Sequence, residues 1–222
     1  MSIKDSIRTQ GQANISCSDS LYHAAVCDEM SRLALLPNTI FLGQQVASET
    51  FYGTLKDIPM EKRWEMPVAE DLQMGLSIGL ALEGYLPISI YQRMDFLPRA
   101  MDQLVNHLNL LPEMSRGLYK PKIIIRTTIG SKSPMDAGPQ HSQDLTAMLS
   151  VLKFPVMTVT TPEEVHIAYS MATLTGGPVL IIELQDLYRG SKNVHTSLKK
   201  LIEEIKKCDL VCANCHRIRT NK

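Results

Sequence analysis

No stretch of this 222-residue chain approaches the roughly 18 consecutive apolar residues that a membrane-spanning helix needs, which argues against an integral membrane protein. Net charge is lacking as well, since 23 basic residues balance 23 acidic ones. A generally basic nucleic-acid binder is therefore disfavoured, although charge can still be uneven locally. Cysteine is sparse and odd in number, five in all; a disulfide-stapled secreted domain would be shorter and richer in it. After Met1-Ser2-Ile3-Lys4 there is no apolar core of the kind a signal peptide carries, so no export signal is expected. What is present is ordinary for a globular domain: 44% apolar and 21% charged residues. That composition argues against disorder, which needs low hydrophobicity and high net charge. The length suits one good core with a short appendage. The expectation is a soluble, cytoplasmic protein built around one domain.

Three regions can be marked. Residues 1–18 are polar and aperiodic and read as a loose arm. Residues 19–190 alternate between strand-like and helix-like patterns, and residues 191–222 form a helical, basic, cysteine-containing tail. In the middle region Tyr22, Ala25, Val26, Met30 and Leu33 fall at helical spacing. Strand signals follow at 39–43, 65–70, 86–91, 122–128, 156–160 and 178–184, with 47–63 read as a surface loop. Between the strands lie a helix containing Gly75 and Gly79, a helix marked by Phe96, Ala100, Leu104 and Leu108, and a helix marked by Leu145, Leu149 and Leu152. A further helix opens with a capping box, Thr161 with Glu164 three residues on, and Pro162 in its first turn. Ile123-Ile124-Ile125 and Val179-Leu180-Ile181-Ile182 are continuously apolar, as strands covered on both faces are. The fold class expected is α/β: an open, mostly parallel sheet of about six strands with helices on both faces.

In such sheets ligand chemistry gathers at the carboxyl ends of the strands. Glu70 stands where Met66-Pro67-Val68-Ala69 gives way to a helix, so its carboxylate either only satisfies the helix dipole or does chemistry at the rim. Gly75 and Gly79, four apart on one face, would allow a neighbouring backbone to come close. His141 sits in Gly138-Pro139-Gln140-His141-Ser142-Gln143, at the end of a long loop. Ser142 is a candidate N-cap for the helix containing Leu145. Long loops in compact domains are enriched in function, but a solvated bystander histidine fits the local pattern equally well.

Several short pieces then line up. They are Phe41-Leu42-Gly43-Gln44-Gln45-Val46, Pro67-Val68-Ala69-Glu70 with Gly75, and Ala100-Met101-Asp102-Gln103-Leu104-Val105-Asn106. Gln140-His141-Ser142-Gln143, Thr161-Pro162-Glu163-Glu164 and Gly177-Pro178-Val179 follow. In this order and spacing, the run from Tyr22 to Gly190 resembles the pyrimidine-binding domain of the transketolase-like superfamily. It most resembles the beta subunits of thiamine-diphosphate-dependent 2-oxoacid dehydrogenases.

The resemblance implies a pyrimidine-binding subunit that acts at a shared active site and is inactive alone. Its Glu70 would hydrogen-bond the N1′ nitrogen of the cofactor's aminopyrimidine ring, which promotes loss of the thiazolium proton. Phe96 would pack on that ring, and His141 would face substrate and acyl acceptor. Phe96 also fits the apolar stripe of its own helix, so a core role is the alternative. The substrate implied is a small 2-oxoacid or a ketose.

Two departures stand out. Gln44-Gln45 replaces the family's Glu-Asp pair, and Gly-Asp-Gly, which marks the diphosphate and Mg2+ site, does not occur. The pattern is followed only to about Gly190, short of the family's second domain. The chain is therefore expected to pair with an alpha-type subunit holding Mg2+ and the diphosphate, in a homo- or hetero-oligomer.

The tail carries seven Lys/Arg against three Asp/Glu from Lys199 to Lys222, and its Cys212-Ala213-Asn214-Cys215-His216 resembles the end of an HNH-type nuclease domain. Cys208, Cys212 and Cys215 are candidate Zn2+ ligands, but tetrahedral zinc needs four and a second Cys-x-x-Cys pair is missing. The same string matches a c-type haem attachment site, a reading that the missing export signal disfavours. Two competing readings remain: a non-catalytic regulatory or assembly subunit of the same fold, and a zinc- or nucleic-acid-binding protein acting through its tail.

Overall fold

A computed structural model of the chain describes residues 20–48, 50–132 and 136–189. All of them fall in the unit Met1–Gly190. The expected arm and the Cys208, Cys212, Cys215 tail lie outside the described residues. The order of elements is α1 (Leu21–Ala34), β1 (Thr39–Gly43), β2 (Arg63–Glu65), α2 (Glu70–Leu82) and β3 (Leu86–Tyr91), then α3 (Leu111–Met114), β4 (Ile124–Ile129), β5 (Val156–Val159), α4 (Pro162–Leu174) and β6 (Val179–Leu184). Short 3-10 turns lie at Met94–Ala100, Thr146–Val151 and Gln185–Tyr188, and a π-type turn at Gln103–Leu108.

The six strands form one sheet in the order β2-β1-β3-β4-β6-β5, with every neighbouring pair parallel. This is the open, helix-covered α/β sheet that the alternation predicts. Parallel neighbours need crossovers, which carry helices onto both faces. On one face α1 and α4 bury Val26, Met30, Leu33, Val165 and Tyr169 against Phe41, Ile88, Ile124 and Ile181. On the other, α2 and the 94–108 segment bury Met74, Leu97, Ala100 and Leu104 against Ile123, Ile125, Leu180 and Ile182. Successive strand residues thus serve opposite cores, which is why these strands are apolar throughout. Each large apolar side chain fully buried contributes about 1.5–3 kcal/mol.

Several local expectations change. The strand signal at 65–70 resolves into β2, ending at Glu65, and a connection that delivers Glu70 as the first residue of α2. The 96–108 helix is a 3-10 turn followed by a π-type turn. Pro98 has no N–H to continue an α-helix, and its ring obstructs the preceding turn. The 145–152 helix is likewise a 3-10 turn, whose N-cap is not Ser142 but Leu145, which makes no side-chain cap bond; Asp144 Oδ1, just ahead of it, accepts from Thr146 N at 3.0 Å. Ser142 Oγ turns back to the Gly138 carbonyl at 3.4 Å. The 47–63 loop is not merely a surface feature, since Phe51, Leu55 and Ile58 are buried in the α1/α4 core. Gly75 and Gly79 meet no neighbouring backbone: Gly75 faces the Gln103 side chain and Gly79 faces open space. The capping box forms at α4, where Glu164 N donates to Thr161 Oγ1, while the Glu164 carboxylate reaches Thr160 N at 2.7 Å. Among the described residues no helix is long and apolar enough to cross a membrane.

Candidate functional site

The parallel sheet sends the ends of β1, β3, β4 and β6 to one edge. The site is assembled there from the loops that follow. At the end of β1 the chain passes Gly43, where a Cβ would lie 2.3 Å from the Ile90 carbonyl oxygen of β3. Only glycine lets the two strand ends approach this closely, and Gln44 comes next. At the start of α2, Gln73 Nε2 donates to Ile90 O at 3.0 Å and Ser89 Oγ at 3.2 Å, pinning the first turn to the edge of β3.

That first turn begins with Glu70, which is 3% exposed. Its Oε1 accepts from Gln44 Nε2 at 3.3 Å. Its Oε2 lies 2.9 Å from Arg99 Nε, but no donor points a hydrogen at it, so the contact is Coulombic and Oε2 lacks a hydrogen bond. Tyr91 OH donates to the Glu70 backbone carbonyl at 3.3 Å. Burial raises the Tyr91 phenol far above its ordinary range, with the Glu70 charge adding to it, so the hydroxyl remains a donor. The N-terminal end of α2 favours an anion at this place. Gln44, Glu70, Gln73, Ile90, Tyr91, Gln92 and Phe96 line one small cleft.

Phe96 belongs to that cleft rather than to the core. Its neighbours Leu97 and Ala100 enter the α2-side cluster, while the tighter 3-10 winding turns Phe96 toward the rim. Its ring meets that of His141 edge-on, with centroids 5.8 Å apart and planes at 88°. Phe96 thus links the two polar candidates, one on each side of it. His141 Nδ1 is buried without a hydrogen-bond partner. The His141 backbone is held by its carbonyl, which accepts from Arg93 Nη1 at 3.3 Å, while Arg93 also donates to Gln185 Oε1 at 2.7 Å. Gly130 is what allows this, because a Cβ there would stand 1.7 Å from the His141 carbonyl oxygen. Two residues further along, Gln143 donates from its backbone and its side chain to Asp95 Oδ1 at 3.2 and 3.0 Å.

The structure therefore brings Glu70, Phe96 and His141 to one edge. Arg99, Gln73, Arg93 and Gln185 hold them there; sequence reasoning missed Arg99 and Gln73 and gave Arg93 and Gln185, though at strand ends, no role of their own. Gln44 stood at the end of a strand and as a departure from a pattern, and its position explains its effect. It sets a neutral donor beside Glu70 where a carboxylate would have added a second charge. Glu65 was missed altogether. Burial raises its proton affinity, but the backbone amides of Gln45, Ala47 and Ser48 outweigh that and hold the carboxyl below its ordinary range, so it anchors the turn after β1 as an anion. Among the described residues there is no group of three or more His, Cys, Asp or Glu able to hold a metal. A glutamate oxygen without a hydrogen bond beside an aromatic wall suits the edge and face of a heteroaromatic ring. Nothing in the same set suits a diphosphate with its cation.

Comparison with known proteins identifies the family. The family described as "Transketolase, pyrimidine binding domain" matches residues 21–191. The beta subunit of the mitochondrial pyruvate dehydrogenase E1 component of Ascaris suum is 28% identical over 197 residues, covering 84% of this chain and 52% of that one. The beta subunit of 3-methyl-2-oxobutanoate dehydrogenase of Mycobacterium tuberculosis is 26% identical, covering 80% of this chain and 50% of its own length. Among solved structures, a split-gene transketolase described as an inactive beta4 tetramer is similar in fold. It has a TM-score of 0.55 at 19% identity, covering 79% of this chain and 52% of that one. The chain spans about half the length of the curated relatives it matches.

Proposed function

The chain belongs to the transketolase pyrimidine-binding-domain family, and from that premise we propose that it is the beta-type, pyrimidine-facing subunit of a thiamine-diphosphate-dependent 2-oxoacid dehydrogenase. The observation that carries this reading is Glu70, a buried carboxylate whose Oε2 has no hydrogen bond, at the strand edge beside Phe96. Thiamine diphosphate, when bound, supplies the electron sink for loss of carbon dioxide from a 2-oxoacid. The chain's own residues do the rest. Glu70 holds and returns a proton at Oε2, from the first turn of α2. Gln44 steadies the other oxygen with a neutral donor, leaving Glu70 the one carboxylate that touches the ring. Phe96 offers an apolar wall for that ring and excludes water from Glu70. His141, held by Arg93 through its carbonyl, presents Nδ1 as the acid or base toward substrate.

The diphosphate and its Mg2+ find no acidic cluster among the described residues, so in this reading an alpha-type partner holds them. The substrate is a small 2-oxoacid, with a ketose as the transketolase-like variant. The odd cysteine count suits a reducing, cytoplasmic setting. A second reading, a non-catalytic assembly subunit, draws on the Arg99 contact with Glu70 and on the loss of charge at Gln44.

One experiment separates the two readings. The chain is co-expressed with an alpha-type chain carrying Gly-Asp-Gly. Thiamine-diphosphate binding and 2-oxoacid-dependent reduction of an artificial electron acceptor are then measured. A catalytic subunit gives turnover that Glu70→Gln lowers by about a hundredfold or more, the usual scale for a lost acid–base group. A complex that forms and binds the cofactor but whose turnover ignores Glu70→Gln would be an assembly subunit.

A further inference from the structure

Glu70 is not alone in its cleft. Arg99, in the last turn of Met94–Ala100, places Nε 2.9 Å from Glu70 Oε2, the oxygen without a hydrogen bond. The two side chains differ sharply in surroundings: Glu70 is 4% exposed and Arg99 is 66% exposed. A carboxylate so deeply buried is costly unless something offsets its charge. Gln44 gives it only a long neutral bond of 3.3 Å. Arg99 contributes a full positive charge, but largely from solvent and without an aligned N–H, so the contact is weak enough to exchange. The same short helix supplies Phe96 to the cleft wall, and Pro98, directly before Arg99, stiffens the backbone between the two. The arginine is therefore delivered to Glu70 by the element that also supplies the ring wall.

We infer that Arg99 is an ionic cap on Glu70, standing at Oε2 where an aminopyrimidine ring nitrogen would bind, and that it must leave Oε2 for the ring to enter. This rests on the reading that Glu70 receives such a ring. Two acceptors, a carboxylate oxygen and a ring nitrogen, share a hydrogen bond only when one proton lies between them. Entry of a neutral aminopyrimidine therefore takes up one proton from solvent and no other group changes. Arg99 and the ring compete for the same oxygen, so the cation's Coulombic hold on Oε2 has to be given up before the ring can enter. Arg99 in this account is a positioning residue that sets how readily the site fills. Gln44, which carries no charge, has no such effect.

The test uses the full chain and, as probe, 4-amino-5-(hydroxymethyl)-2-methylpyrimidine at millimolar concentration, followed by ligand-observed NMR. Thermal melting serves as a folding check, since Arg99 is mostly exposed and its replacement leaves the core intact. Arg99→Gln is expected to bind the probe about fivefold more tightly than the unmodified chain, the upper end of what a largely solvent-exposed ion pair is worth. Arg99→Lys should fall between the two. The double variant Arg99→Gln/Glu70→Gln should lose the gain, because the two residues act on one another. Equal affinity in the unmodified chain and Arg99→Gln, with binding weakened by Glu70→Gln, would overturn the cap while leaving Glu70 as the ring's partner. Binding that is absent, or indifferent to Glu70→Gln, would overturn both.

Discussion

Gln44 and Glu70 stand 3.3 Å apart with one charge between them. Had position 44 been glutamate, a half-buried carboxylate would share that space with the buried one of Glu70, and like charges so close resist joint ionisation. Gln44→Glu should therefore destabilise the chain at neutral pH by roughly 1–2 kcal/mol, the cost of moving one carboxyl's proton affinity by about a unit. The sign follows from linkage. A carboxyl raised in the folded state relative to the unfolded one costs stability above its unfolded range and gives it back as pH falls. Thermal melts of Gln44→Glu and the unmodified chain should thus diverge at pH 7 and converge only toward about pH 4, near a glutamate's unfolded range, and a gap that does not depend on pH would refute the account. At this scale much of the site was legible. Glu70 at a strand-to-helix junction and His141 at the end of a long loop could both be picked out. Arg99 could not, because an exposed arginine in a helix's last turn looks like a dipole complement. Its contact with Glu70 depends on a 3-10 winding that residue type alone does not reveal.

Between elements, the strongest polar join is one the sequence shows only in outline. β4 and β6 read as apolar runs, each broken once by a charge: Arg126 in one and Glu183 in the other. In the structure Arg126 Nε and Nη2 donate to the two oxygens of Glu183, each at 2.9 Å, with both side chains fully buried. Nη1 donates to Thr54 Oγ1 at 3.0 Å, and the guanidinium lies 4.7 Å over the Phe51 ring. Tyr169 and Tyr188 donate their hydroxyls to the same carboxylate. Burial, then the Glu183 charge, raises both phenols well above their ordinary range, so they stay protonated and stay donors.

This join holds the 50–58 loop onto the sheet, and it explains why residues read as surface are buried. It also accommodates a left-handed turn at Thr50, Phe51 and Tyr52, with φ of 54°, 44° and 55°. Nothing in those three residue types predicts it, since each left-handed non-glycine residue costs roughly 1–2 kcal/mol. Removing one partner of a buried pair strands the other charge, at a cost of about 3–5 kcal/mol. Arg126→Met should lose about that much in chemical denaturation. Arg126→Met/Glu183→Gln should recover a good part, because a neutral amide still accepts from the phenols. A double variant no more stable than the single would show that the loop, not the stranded charge, sets the cost.

For the whole molecule, α2 connects the site to what lies outside the chain. Its first residue is Glu70, and its outer face leaves Leu72 and Leu82 more than 40% exposed, with Gly79 open to solvent between them and Val68 just ahead. A monomer gains nothing from such a face, and a glycine in mid-helix costs about 0.5–1 kcal/mol relative to alanine. The face adjoins a site that accounts for a ring but not for a diphosphate, which is where the proposed alpha-type partner has to come close. The two demands on Gly79 then have opposite signs. Nothing lies within 4 Å of a Cβ built there, so Gly79→Ala should raise the stability of the isolated chain by about 0.5–1 kcal/mol. If the proposed partner docks on this face, the added methyl stands in its path, so affinity for the alpha-type chain should fall. Denaturation of the chain alone and sedimentation of the pair measure the two effects separately. A variant that stabilises the chain and leaves assembly unchanged would place the partner on some other face. The site's missing half would then have to reach Glu70 from another direction.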